Sequence, residues 1–251
     1  MKDRRPRRLG SAFALAAALA AGAPPAAACT RDAIMVFDGS GSMETPAADP
    51  PHRPRIDDAR AALGRALPDV VALRRVGVLI YGPGPLGACE NVNLAVAPTQ
   101  NLDRILGAIG AVRPDGDTPL TRAVEAAAAA LSPEGIVVLI TDGRETCGGG
   151  TCALAARLAT TAPGITVHVI GFKVWENFSR WPGYAAESGS LDHEPARCLA
   201  DDTGGRFVNT DTVDELTRAL RDTLGCPLIG HSPGEASGSS FPTPIKANLK
   251  G

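Results

Sequence analysis

Four apolar, β-branched runs constrain this chain more than any other feature. They are Ala33-Ile34-Met35-Val36-Phe37, Val76-Gly77-Val78-Leu79-Ile80-Tyr81, Ile136-Val137-Val138-Leu139-Ile140 and Ile165-Thr166-Val167-His168-Val169-Ile170. Branching at Cβ favours extended backbone, and a run without polar alternation needs cover on both faces, as a parallel strand has. Helical periodicity falls between the runs, at residues 56–67, 102–112, 119–131, 153–162 and 213–224. Parallel neighbours can be joined only by long crossovers. The alternation therefore predicts an α/β fold with a doubly wound, mostly parallel sheet and helices on both faces. Val92-Asn93-Leu94-Ala95-Val96 alternates instead and follows closely on the second run, which suits one antiparallel edge strand after a hairpin. Arg206-Phe207-Val208 reads as a short last strand, and the run of alanines at 126–130 as a good helix former.

The 251 residues accommodate one such domain of about 200 residues with extensions. A hydrophobic share of 44% and a net charge of −2 exclude disorder for most of the chain. No basic run occurs outside the first eight residues, which argues against nucleic acid as a partner. Those eight hold Lys2, Arg4, Arg5, Arg7 and Arg8; an apolar stretch at 12–21 and Ala26-Ala27-Ala28 follow. That order predicts a signal peptide over 1–28, too short and too quickly ended by Pro24-Pro25 for a membrane span. Arg7-Arg8-Leu9 leaves twin-arginine and general export both open. Without the leader, 20 basic side chains face 26 acidic ones, a net charge of −6. No second stretch is long enough to span a bilayer, so the expected location is exported, periplasmic or secreted. Residues 227–251 are Gly/Ser/Pro-rich and read as a flexible tail.

Polar clusters stand where the apolar runs stop. The first run enters Asp38-Gly39-Ser40-Gly41-Ser42, the third enters Thr141-Asp142-Gly143, and Gly116-Asp117-Thr118-Pro119 opens the preceding helix. In open α/β sheets such positions gather at the carboxyl ends of the strands, around the point where strand order reverses. Two carboxylates and three hydroxyls form an all-oxygen donor set, suited to Mg²⁺, Mn²⁺ or Ca²⁺ and not to zinc or copper. Gly39 and Gly41 let the backbone turn so that Ser40 and Ser42 point where Asp38 does. Each piece alone could be a turn or a helix cap; their joint placement is what argues for a site.

These motifs resemble the metal-ion-dependent adhesion site of von Willebrand factor A domains: Asp38-Gly-Ser40-Gly-Ser42, Thr118 in Gly-Asp-Thr-Pro-Leu, and Asp142 in Ile-Thr-Asp-Gly. The resemblance covers about residues 31–225, placing the domain at 29–226. Thr141-Asp-Gly-Arg-Glu-Thr-Cys-Gly-Gly and Val167-His-Val-Ile-Gly-Phe look closer to a bacterial exported subgroup. The resemblance implies that Ser40 and Ser42 coordinate the ion directly and Thr118 directly or through water. Asp38 and Asp142 would act mostly through bound waters, and a carboxylate on a protein or peptide partner would complete the shell. It further implies that ligand binding can be coupled to movement of the last helix.

The expected activity is binding and not catalysis, because no general base stands beside the cluster. His52, His168, His193 and His231 are scattered, and His168 in a strand reads as structural. An aspartyl-phosphate hydrolase would place its nucleophile at Asp38, but it needs an acid where Ser40 stands and a lysine, for which the folded region offers only Lys173. A structural module with an incidental ion site is the other alternative.

Six cysteines, at 29, 89, 147, 152, 198 and 226, suggest three disulfides in an exported chain. Cys29 and Cys226 flank the first strand and last helix on the face away from the site, which favours 29–226. Cys147 and Cys152 are close enough to close locally, leaving 89–198. Ala26-Ala27-Ala28-Cys29 also loosely resembles a lipid-attachment site without its leucine, an alternative that would take Cys29 out of the pairing. Trp175, Phe178, Trp181 and Tyr184 lie in an irregular insertion at 174–195 and form either a partner surface or a cluster packed under the loop.

Overall fold

A computed structural model describes residues 30–46, 52–174 and 196–226. The expected leader, the tail, Cys29 and the aromatic insertion fall outside those residues. Six strands form one sheet: β1 (Ala33–Asp38), β2 (Val76–Tyr81), β3 (Val92–Thr99), β4 (Glu134–Thr141), β5 (Gly164–Phe172) and β6 (Phe207–Thr210). Their order is β3-β2-β1-β4-β5-β6. Every pairing is parallel except β2–β3, so the alternating run is the antiparallel edge strand that its pattern predicts. β1 lies between β2 and β4, and the connections leave it in opposite directions, making its carboxyl end the reversal point.

Among the described residues six α-helices cover the sheet: α1 (Arg55–Val71), α2 (Leu102–Ala111), α3 (Leu120–Leu131), α4 (Thr151–Thr161), α5 (Arg197–Thr203) and α6 (Val213–Leu224). The two-residue period of β1 divides the core. Ala33, Met35 and Phe37 pack with α1, α2 and α6, whereas Ile34 and Val36 pack with α3, α4 and α5. Removing Phe37's ring would leave a cavity worth about 3–5 kcal/mol. α6 begins with a capping box between Thr212 and Glu215, and the Asp211 and Thr212 amides hold the Glu215 carboxyl below its ordinary value. α1 runs on through Pro68, four residues past the expected end. α5 is absent from the sequence reading because its seven residues are too few to display a helical period.

The disulfides correct two expected pairs. Cys89 joins Cys147 and Cys152 joins Cys198, with Cα–Cα distances of 5.6 and 5.2 Å, instead of 147–152 and 89–198. The reason is topological. Cys147 lies in the β4–α4 connection, which reaches the β2–β3 loop across the start of α3, whereas Cys152 lies in α4 and faces α5. Residues 89 and 198 belong to opposite flanks of the sheet, with two strands, β1 and β4, between those they follow. Cys226 is disulfide-bonded, and the expected 29–226 pair lies outside the described residues.

Candidate functional site

The carboxyl ends of β1 and β4 hold one continuous chain of hydrogen bonds. Asp38, the last residue of β1, is fully buried. Its Oδ1 accepts from the Ser40 amide at 2.9 Å and from Ser40 Oγ at 2.6 Å, and its Oδ2 accepts from Thr141 Oγ1 at 2.8 Å. Ser40 Oγ lies 3.1 Å from Ser42 Oγ, which donates to Asp142 Oδ1 at 2.6 Å. Asp38, Ser40, Ser42 and Asp142 therefore meet as their motifs predict. Gly41–Glu44 forms a short 3-10 turn with Met43 anchored in the core, and this turn points both serines inward.

Thr118 arrives on a separate loop and stands outside that chain. Its loop is fastened to the first one, because the Gly41 amide donates to the Gly116 carbonyl at 3.1 Å and the Asp115 amide to the Gly39 carbonyl at 3.0 Å. Thr118 is nearly buried, its amide donates to Thr146 Oγ1 at 2.8 Å, and the Thr146 amide donates back to its carbonyl at 3.1 Å. Glu145 ties the Asp142 loop to α3, accepting from the Thr121 amide at 2.7 Å and the Cys147 amide at 2.8 Å. The 89–147 disulfide clamps the same loop from outside.

Four features of the site are missing from the sequence reading. Thr141 supports Asp38, although it stands within the quoted Thr-Asp-Gly motif. Gly82 and Gly116 adopt φ of +102° and +73°, and a Cβ at Gly82 would strike the Ser40 backbone. Gly116 opens the quoted Gly-Asp-Thr-Pro motif without its backbone role being apparent, and nothing in the sequence marks Gly82 out from the other glycines. Tyr81 is buried under the site, where burial and then the nearby Asp38 carboxylate push its phenol well above the ordinary value. Its hydroxyl completes no hydrogen bond of good geometry there. Lastly, the fully buried Arg55 donates through Nη1 to Asp142 Oδ2 at 3.0 Å. A signal for it existed, since position 55 precedes Ala59, Ala62 and Ala66 on the buried stripe of α1.

The donor chemistry fits a hard divalent cation. The 3.1 Å between the serine oxygens matches the edge of about 3 Å that an octahedron with bonds of about 2.1 Å requires. Among the described residues no three His, Cys, Asp or Glu side chains cluster as metal ligands, so neutral hydroxyls would make up most of the shell here. His168 is remote in role: its Nδ1 accepts from the Arg206 amide at 3.0 Å, and burial, then neighbouring arginines, lower its pKa to about 4. Lys173 Nζ lies 3.0 Å from Asp58 Oδ2, in a buried ion pair with α1.

Comparison with known proteins bears on the fold. The Bacillus subtilis protein YwmC is 31% identical over 124 residues, 47% of this chain, and the chain spans only 54% of YwmC's length. A von Willebrand factor type A protein from Catenulispora acidiphila superposes with a TM-score of 0.54 at 18% identity, over 78% of this chain and 42% of that one. Proximal thread matrix protein 1 of the mussel byssus, solved with a zinc-occupied metal-ion-dependent adhesion site, gives 0.50 at 19% identity, over 78% and 46%. Residues 33–145, from β1 through the Asp142 loop, match the sequence profile of the von Willebrand factor type A domain, and the sheet that carries them has that domain's fold.

Proposed function

We propose that this protein is a divalent-metal-dependent binding module of the bacterial envelope, and that its ligand is a protein or peptide presenting a carboxylate. The observation that carries the reading is the convergence of Asp38, Ser40, Ser42 and Asp142 in one buried chain, with the Thr118 loop fastened beside it. In this reading Ser40 and Ser42 hold a Mg²⁺-type ion through their hydroxyls, and Thr118 adds a third. Asp38 and Asp142 orient those hydroxyls and supply the balancing charge. A bound ion contributes an electrophilic position that a partner's carboxylate can occupy. The proximal thread matrix protein supports the reading only in that a protein of this fold holds a divalent ion, there zinc, at a metal-ion-dependent adhesion site.

Two things favour holding a ligand over catalysis. The two carboxylates of the cluster are both engaged, Asp38 by Ser40 and Thr141 and Asp142 by Ser42 and Arg55, so neither is free to act as a base. Lys173, on which the hydrolase alternative depends, is bound to Asp58. Two disulfides support an oxidising compartment, in line with the expected leader. The test is capture from envelope extract on the immobilised protein with Mg²⁺, eluted by EDTA. Wild type should retain a partner and Asp38→Ala, folded by circular dichroism, should not; metal-dependent capture by the variant would refute the reading.

A further inference from the structure

Arg55 is a costly residue for its position. It opens α1, is fully buried, and gives Nη1 to Asp142 Oδ2 at 3.0 Å and to the Ser42 carbonyl at 3.2 Å. Ala59, Ala62 and Leu63 continue its stripe as buried apolar positions, and the one buried acid among them, Asp58, is paired with Lys173. A leucine or methionine would continue that stripe without desolvating a guanidinium, and such replacements of buried ion pairs are commonly neutral or stabilising. Packing therefore gives no reason for a cation here.

The charges of the site do. Asp38's partners are all neutral: an amide and two hydroxyls. Asp142 alone is matched by a fixed positive group. A guanidinium cannot shed its proton under ordinary conditions, so the match is permanent. It satisfies Asp142 Oδ2 while Oδ1 takes the Ser42 hydroxyl, which keeps the serine in place whether or not an ion is present. The same charge repels any cation that enters beside Asp142.

We infer that Arg55 is a built-in counter-cation, which holds the site assembled in the ion-free protein and lowers its affinity for a divalent ion. This rests on the ion-binding reading above, and it makes a further negative group, such as an acidic ligand's carboxylate, the factor that secures the ion. Arg55 acts through Asp142 and is a positioning residue in this scheme, not a ligand.

The test is calorimetric titration with Mn²⁺, with and without saturating glutarate, on wild type, Arg55→Gln, Arg55→Met and Arg55→Lys. The neutral variants should bind Mn²⁺ roughly tenfold or more tightly than wild type without glutarate, and glutarate should add less to their affinity. Arg55→Lys, which keeps the charge, should stay near wild type. Equal or weaker Mn²⁺ binding by the neutral variants would overturn the inference, as would failure of both to fold, which would mark Arg55 as purely structural. Binding by the neutral variants without any by wild type would uphold Arg55's role but refute the proposed function; no binding by any of them would refute both.

Discussion

Removing the Cys89–Cys147 disulfide should cost more stability than any single surface change. The bridge closes a loop of 58 residues, for which chain entropy gives a stabilisation of about 4 kcal/mol in the unfolded-state model. The Cys152–Cys198 loop of 46 residues does not overlap it in sequence and gives about the same. For a domain of this size, 4 kcal/mol corresponds to roughly 8–16 °C in Tm. Cys89→Ala/Cys147→Ala removes the first bridge without leaving a free thiol; Cys152→Ala/Cys198→Ala does the same for the second. The two double variants should unfold at similar temperatures, but only the first should weaken Mn²⁺ binding, because Cys147 closes the loop that begins at Asp142. Thermal unfolding under non-reducing conditions, with peptide mapping of the linked fragments, reads both effects. An unchanged Tm in the first variant, or a mapped 147–152 fragment, would refute the topology argued from the β4–α4 connection.

Three other outcomes follow from the same geometry. Asp58→Ala strands the buried Lys173 ammonium beside α1 and should destabilise the protein by about 3–5 kcal/mol in urea unfolding. His168, with its pKa lowered to about 4, resists protonation in the folded protein, so the unfolded chain binds the proton first as pH falls. Stability should therefore be lost from about pH 6.5 down to about 4, by at most ~3 kcal/mol less the solvent screening of a half-buried group. His168→Asn, whose amide oxygen can replace Nδ1 as acceptor for Arg206, should flatten the urea midpoint over that range. Gly82→Ala forces a Cβ into the Ser40 backbone and should lower both stability and Mn²⁺ affinity, while Gly87→Ala, which meets no atom, should cost only the strain of its positive φ.

Much of this was legible because two signals agreed. The β-branched runs located β1, β2, β4 and β5, and the alternating run identified β3 as the antiparallel edge. Motif position then placed Asp38 and Asp142 at adjacent strand ends, as the register between Phe37 and Ile140 bears out. What stayed hidden depends on which loops meet in space. The pairing of Cys89 with Cys147 is set by how far two connections reach across α3, a distance that spacing along the chain does not encode. The crossing of Gly116 over Gly82 is of the same kind. Arg55 was hidden for another reason: a charged residue at a helix start is normally solvated, and partners distant in sequence, the buried Asp142 among them, make its burial tolerable.

The central claim is that Asp38, Ser40, Ser42, Thr118 and Asp142 form one divalent-cation site. Electron paramagnetic resonance of Mn²⁺ added to the protein tests it most directly, because bound and free ion give separable signals. Wild type should bind one Mn²⁺ per chain, displaced by Mg²⁺, and Asp38→Ala and Ser42→Ala should each lose it while keeping the wild-type circular dichroism. Equal binding by the folded variants and wild type would contradict the account.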